Sequence, residues 1–128
     1  MKINCFEDLE IWKESRELSK IIRKLSRRKD FAYDYRLSSQ INASAGSVMD
    51  NIAEGYERDG NKEFIQFLFI SKGSCGETRS QAYRAYDADF ITKDELDDIL
   101  GRTLSIKNKT LSLIKYLKNS DFKGNKYK

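Results

Sequence analysis

Residues 40–58, QINASAGSVMDNIAEGYER, admit few folds, because as a helix they carry two different stripes side by side. At about 100° per residue, Leu37, Ile41, Ala45, Val48, Met49, Ile52 and Tyr56 share one side, the apolar face expected against a core. Beside them, at spacings of four and three, run Gln40, Ser44, Ser47, Asn51 and Glu54. A ridge of small polar residues lets a second backbone approach closely and offers it donors and acceptors. Such a helix needs neighbours on two sides, so the chain is expected to be a bundle.

The rest of the sequence supports long helices, since it has no proline and only seven glycines. With 128 residues there is room for one domain and one core. A first helix is predicted over about Phe6–Arg28, with Ile11, Leu18, Ile22 and Leu25 inward and Ser15 among them. Phe6, Leu9 and Trp12 drift off that face, as anchors at a bundle end or against a neighbouring subunit. The second is predicted from Asp34 to Glu57 and ends at the turn signal Asp59-Gly60-Asn61. The third covers Lys62 to Ala88. Thr92 and Glu95 have capping-box spacing, so the fourth runs from Lys93 to about Lys118. Short loops make this an all-α, antiparallel up-down-up-down four-helix bundle over residues 1–119, with a basic, disordered tail at 120–128.

The third and fourth helices carry more apolar surface than a monomer of this kind needs. Residues 64–70, FIQFLFI, point apolar groups to nearly every side. In the fourth helix Ile99, Thr103, Ile106, Thr110, Leu113 and Leu117 form one seam, and Leu96, Leu100, Leu104, Leu111 and Ile114 a second. A homo-oligomer is expected, with Phe69, Ile70, Ile99, Ile106 and Leu113 at its interface. Lys107 falls inside the apolar arc, so its stem is expected to snorkel outward or its ammonium to pair with Glu54 or Glu77.

Charge is unevenly placed. Residues 1–101 hold 16 basic and 19 acidic groups, whereas residues 102–128 hold eight basic groups and only Asp121. Arg102, Lys109, Lys115, Lys118, Lys123, Lys126 and Lys128 are therefore the candidate contacts to a polyanion, with Tyr116 and Tyr127 among them. A second knot, Arg23-Lys24 and Arg27-Arg28-Lys29, closes the first helix, where cations also oppose the helix dipole favourably. Symmetry would multiply either patch into a ring of positive charge.

Chemistry is constrained by what is missing. Without histidine there is no His-dependent triad and no His-containing zinc site. Cys5 and Cys75 are too few for a four-thiolate site and read as small hydrophobes. Gly73-Ser74-Cys75-Gly76 lacks nucleophile-elbow spacing and lies within the third helix, where small residues favour close approach. Asp94, Glu95, Asp97 and Asp98 sit where acids stabilise a helix start. No metal and no cofactor are expected. An enzyme using carboxylates and lysines alone would have Glu54 and Glu77 as its candidates, but a non-enzymatic protein is the expectation. With neither a signal peptide nor an apolar run near 18 residues, a soluble cytoplasmic protein is expected.

Taken in order, Phe6-x-x-Leu9-x-x-Trp12, Tyr35-x-Leu37-x-x-Gln40-Ile41, Ser47-Val48-x-x-Asn51-Ile52-Ala53-Glu54-Gly55, Phe64-x-x-Phe67-Leu68 and Gly73-Ser74-x-x-Glu77 resemble the four-helix-bundle family encoded in intervening sequences of bacterial 23S rRNA genes. The resemblance covers nearly the whole chain, and Asn-Ile-Ala-Glu-Gly is its most specific element. It implies a ring assembly, with five subunits the expected number. It also implies kinship with accessory proteins of diversity-generating retroelements, which bind nucleic acid and a reverse transcriptase through a basic surface. The chain departs from the pattern at Phe31-Ala32, where relatives often carry Phe-Pro, and at Ala43, where they often carry arginine. Gln40, Asn51, Glu54, Gly55, Ser74 and Glu77 are read as a structural set that fixes register. The expected function is low-specificity binding of RNA or other nucleic acid. The alternative is a scaffold or accessory subunit for a nucleic-acid enzyme such as a reverse transcriptase.

Overall fold

The computed structural model describes residues 2–120. They form five helices: α1 (Glu10–Ser26), α2 (Lys29–Tyr33), α3 (Tyr35–Glu57), α4 (Asn61–Asp87) and α5 (Lys93–Asn119). The long helices α1, α3, α4 and α5 pack each against the next in chain order, and α5 returns to α1 to close the bundle. No strand occurs among the described residues.

Local chemistry sets the helix ends. Asp34 caps α3 by accepting from the Leu37 backbone N–H at 3.1 Å. Gly60 turns the chain into α4 at φ +108°, a conformation that costs glycine little. At the far end Asp89 adopts φ 64° and the Phe90 N–H returns to the Ala85 carbonyl, ending α4. Thr92 and Glu95 form the full capping box of α5.

Two boundaries differ from expectation. The first helix does not start at Phe6: Phe6–Asp8 make a separate 3-10 turn, and Leu9 is extended at ψ 129° before α1 begins. The break lets Leu9 enter the core while Phe6 packs edge-on against Trp12, with ring centroids 5.2 Å apart. These side chains are thus anchors at the end of the chain's own bundle. The second difference is α2, a single turn between α1 and α3. Phe31 pins it in place, fully buried and stacked on Phe90 at 5.1 Å.

The core follows the periodicity of the sequence. Ile11, Ser15, Leu18, Ile22 and Leu25 of α1 are buried, as are Leu37, Ile41, Ala45, Val48 and Ile52 of α3. Phe64, Leu68, Cys75, Ala82 and Ala85 come from α4 and Leu96, Ile99, Ile106, Ile114 and Leu117 from α5. No described helix is long and apolar enough to cross a membrane.

Candidate nucleic-acid interface

The second stripe of α3 becomes a polar seam against α4. Ser44 Oγ meets Thr78 Oγ1 at 2.9 Å and donates to Gln81 Oε1 at 2.6 Å. Ser47 Oγ lies 2.8 Å from Ser74 Oγ, and Asn51 donates to both the hydroxyl and the carbonyl of Ser47. Ser71 donates to the Val48 carbonyl at 2.8 Å, and Arg84 reaches Gln40 at 3.2 Å. Partners of matched length at successive levels fix the sliding register of the two helices. Gly55 completes the seam, because a β-carbon there would lie 2.6 Å from Phe67 Cβ and 2.9 Å from Phe64 Cδ1. The structure therefore joins Gln40, Asn51, Gly55 and Ser74. It leaves out Glu54, which faces solvent and pairs with Arg58 at 3.3 Å, and Glu77, which is exposed. Their acidic heads have water available and no cation across the seam. Lys107 is likewise exposed and meets neither of them.

The expected basic surface of α5 is only partly available. Lys109 ion-pairs with Glu10 and Glu14 of α1, and these hydrogen bonds push its pKa up to about 12. Arg102 pairs with Asp98 at 3.0 Å. Arg102 borders the α1–α5 groove, an opening of about 530 Å³ lined also by Ile3, Asp8, Lys13, Glu17 and the two Lys109 partners Glu10 and Glu14. Its charge is acidic on balance, and Arg102 and Lys109 are engaged there by neighbouring carboxylates. Lys115 is exposed, and Lys118 lies over the Phe69 ring with its ammonium 5.5 Å from the centroid. Lys123, Lys126 and Lys128, with the rest of the expected tail after Ser120, lie outside the described residues.

Free positive charge gathers instead where α1, α2 and α3 meet. Arg23 and Lys24 occupy the last turn of α1, Arg27 its C-cap, Lys29 the start of α2 and Arg36 the first turn of α3. All five are exposed, and among the described residues none has a carboxylate within 4.0 Å. Their neighbour Arg28 differs: it makes a two-point contact to Glu95 and donates to the Phe90 carbonyl at 3.4 Å. The Arg28 guanidinium, helped by the Thr92 N–H, lowers the Glu95 pKa to about 2. Two rings stand out beside these cations: Tyr33 is 90% and Tyr35 78% exposed. Charge counting marks the knot but not the tyrosines, whose signal in the sequence is the aromatic pair Tyr33-Asp34-Tyr35 set between that knot and Arg36.

The expected oligomer residues divide. Ile99 and Ile106 are each 1% exposed in the core of the single chain, and Leu113 is half-buried against it. The seam that they share, with Thr103, Thr110 and Leu117, is turned into the chain's own core, so Ile99 and Ile106 are corrected to core positions. Phe69 and Ile70 are exposed at 43% and 52%. Phe69, Gly73, Gly76 and Tyr83 follow one another along α4 at helical spacing, and Leu104 and Leu111 do so on the adjoining flank of α5. The two rows border an open apolar face, and nothing lies within 4 Å of a β-carbon built at Gly73 or Gly76.

Cys75 is buried, its thiol 3.4 Å from the Thr103 carbonyl and its pKa raised by desolvation to about 11. No group of three or more Cys, Asp or Glu able to hold a metal ion occurs among the described residues.

No curated protein matches this chain. Its structure is similar to the crystal structure of a protein of unknown function from the S23 ribosomal protein family of Bacteroides thetaiotaomicron. The TM-score is 0.75 at 23% identity, over 82% of this chain and 98% of that one, which is a likeness of fold. The family model described as 23S rRNA-intervening sequence protein matches residues 7–112, and the chain belongs to that family.

Proposed function

We propose that this protein is a non-enzymatic bundle that assembles with copies of itself and binds RNA or other nucleic acid with little sequence specificity. Unpaired positive charge carries the reading. Cations that could be neutralised within the fold have been, as at Lys109 and Arg28, whereas Arg23, Lys24, Arg27, Lys29, Arg36 and Lys115 stay exposed without a described ion-pair partner. A field of unpaired cations attracts a polyanion through counterion release, which needs no base contacts. The non-enzymatic part is supported by the absence of histidine and by the burial of Cys75. Glu54 and Glu77, the remaining candidates for chemistry, are both exposed, and Glu54 pairs with Arg58.

Self-assembly is supported by the open face of α4 and α5. Phe69, Tyr83, Leu104 and Leu111 around two glycines give knobs and a shallow seat of the kind that helices of a second subunit fill. Repeated head to tail, such a contact closes into a ring, and five is the number that family resemblance implies. The same face also fits a protein partner such as a reverse transcriptase, the second reading.

Two measurements on the full chain test these readings. Titration of labelled RNA, duplex DNA and hybrid at low and moderate salt is expected to show binding that weakens steeply with salt; no binding at low salt would overturn the nucleic-acid reading. Sedimentation is expected to show an assembly that Phe69→Glu with Leu104→Glu dissolves. A wild-type monomer that retains a protein partner after nuclease treatment would favour the second reading instead.

A further inference from the structure

From the α1–α2–α3 corner we infer a binding platform for single-stranded nucleic acid, in which Tyr33 and Tyr35 stack on bases while Arg23, Lys24, Arg27, Lys29 and Arg36 take the phosphates. The inference rests on the nucleic-acid reading above and gives it a place and a ligand class.

Three observations meet there. The first is exposure: Tyr33 and Tyr35 leave most of their surface in water, and neither ring has a described aromatic or cationic partner. Single exposed hydrophobes are ordinary on protein surfaces, but two aromatic rings flanking one corner residue form a patch. Their α-carbons are at most about 7 Å apart, a span that suits neighbouring bases of one strand. The second is charge. Five cations within fourteen residues lack a described carboxylate partner; of the carboxylates in that stretch, Asp34 is occupied as the cap of α3 and Asp30 is exposed, which leaves the corner basic on balance.

The third is rigidity. Phe31 is buried against Phe90, Arg28 is clamped to Glu95, and Asp34 holds φ −78°, ψ 77° between the two rings. A corner fixed on both sides presents its rings without a large ordering cost on binding. Rings and cations together select a strand whose bases are free. A duplex offers phosphates but keeps its base faces stacked inside, and an acidic peptide offers charge without bases.

The test compares Tyr33→Ala, Tyr35→Ala and both Tyr→Phe variants in the full chain. Probes are a fluorescein-labelled single-stranded RNA, the corresponding duplex, and a single strand carrying 2-aminopurine, whose emission reports stacking. Each Tyr→Ala change is expected to weaken single-strand binding about ten-fold and to reduce the 2-aminopurine response, with duplex binding unchanged and the phenylalanine variants near wild type. Circular dichroism melts are expected to match, since the rings bury little. Wild-type binding that survives both alanine changes would overturn the platform and leave the nucleic-acid reading standing. Equal losses on strand and duplex, or displacement of the strand by polyglutamate as effective as by unlabelled RNA, would overturn the stacking assignment. A wild-type protein that binds no RNA at low salt overturns both.

Discussion

Gly55→Ala isolates the close approach of α3 and α4. A methyl group at Gly55 would sit 2.6 Å from Phe67 Cβ, about 1 Å inside ordinary carbon contact. Phe67 Cβ is fixed to its backbone, so no rotamer relieves the clash and the helices themselves must part. Phe64 offers little more room, being fully buried and edge-on to Tyr56 at 6.1 Å. Overpacking of this kind costs about 3 kcal/mol, the upper part of its usual range, because the obstacle is main-chain bound. Alanine returns about 1 kcal/mol of helix propensity, leaving a net loss of about 2 kcal/mol.

Gly101 supplies the control. It is also helical, but a β-carbon there meets nothing within 4 Å. Gly101→Ala is therefore expected to gain about 1 kcal/mol, so the two variants should differ by about 3 kcal/mol. Urea denaturation at one fixed protein concentration measures both, with an unchanged m-value required for the comparison. Gly55→Ala within about 0.5 kcal/mol of wild type, or more stable than it, would refute the steric account of the Asn-Ile-Ala-Glu-Gly motif.

Two further changes probe buried and charged positions. Thr110 is fully buried and its hydroxyl has no hydrogen-bond partner among the described residues, so Thr110→Val, equal in shape, is expected to raise stability by about 1 kcal/mol in the same urea assay. For Glu95 the folded pKa of about 2 lies below the ordinary value of 4.5, so its stabilisation is complete above pH 4.5 and is lost as pH falls toward 2. Arg28→Met is expected to cost about 1 kcal/mol near neutral pH and to flatten the acid limb of the stability profile. An unchanged limb would place that proton uptake elsewhere.

Some of this is visible in the sequence because helices of roughly five to seven turns repeat their pattern often enough to be read. The apolar stripe of α3 and the inward set of α1 are such cases. The polar ridge from Gln40 to Asn51 shows that a backbone comes close, yet only the partner helix explains Gly55. The leucines of α5 illustrate a different ambiguity: Ile106 inside the chain and Leu104 outside it have the same chemistry, and periodicity does not say whether the neighbour is α1, α4 or another subunit. Lys109 with Glu10 and Glu14 joins residues 95 or more apart in sequence, so counting charges along the chain does not show that this cation is paired. Five-residue α2 has too short a period to register, and with it goes the exposure of Tyr33 at its end.

The two sides of the bundle are held by different forces, which bears on where a ligand can be presented reliably. Between α3 and α4 the seam is made mostly of neutral hydrogen bonds and a glycine contact, with Arg84 to Gln40 as its charged exception, and salt affects such neutral interactions little. The α1–α5 seam is tied by Lys109 with Glu10 and Glu14 and by Ser105 with Glu14, much of it exposed. Screening weakens exposed charges of that kind. The corner carrying Tyr33 and Tyr35 grows directly from the first turn of α3 and is clamped to the start of α5 by Arg28 and Glu95. The Arg28–Glu95 pair is itself partly exposed and screened by salt, so in salt the rings keep their position through α3 and the buried Phe31. Added salt should consequently weaken phosphate contacts at the corner while leaving the rings in place, so that the stacking response outlasts much of the electrostatic affinity.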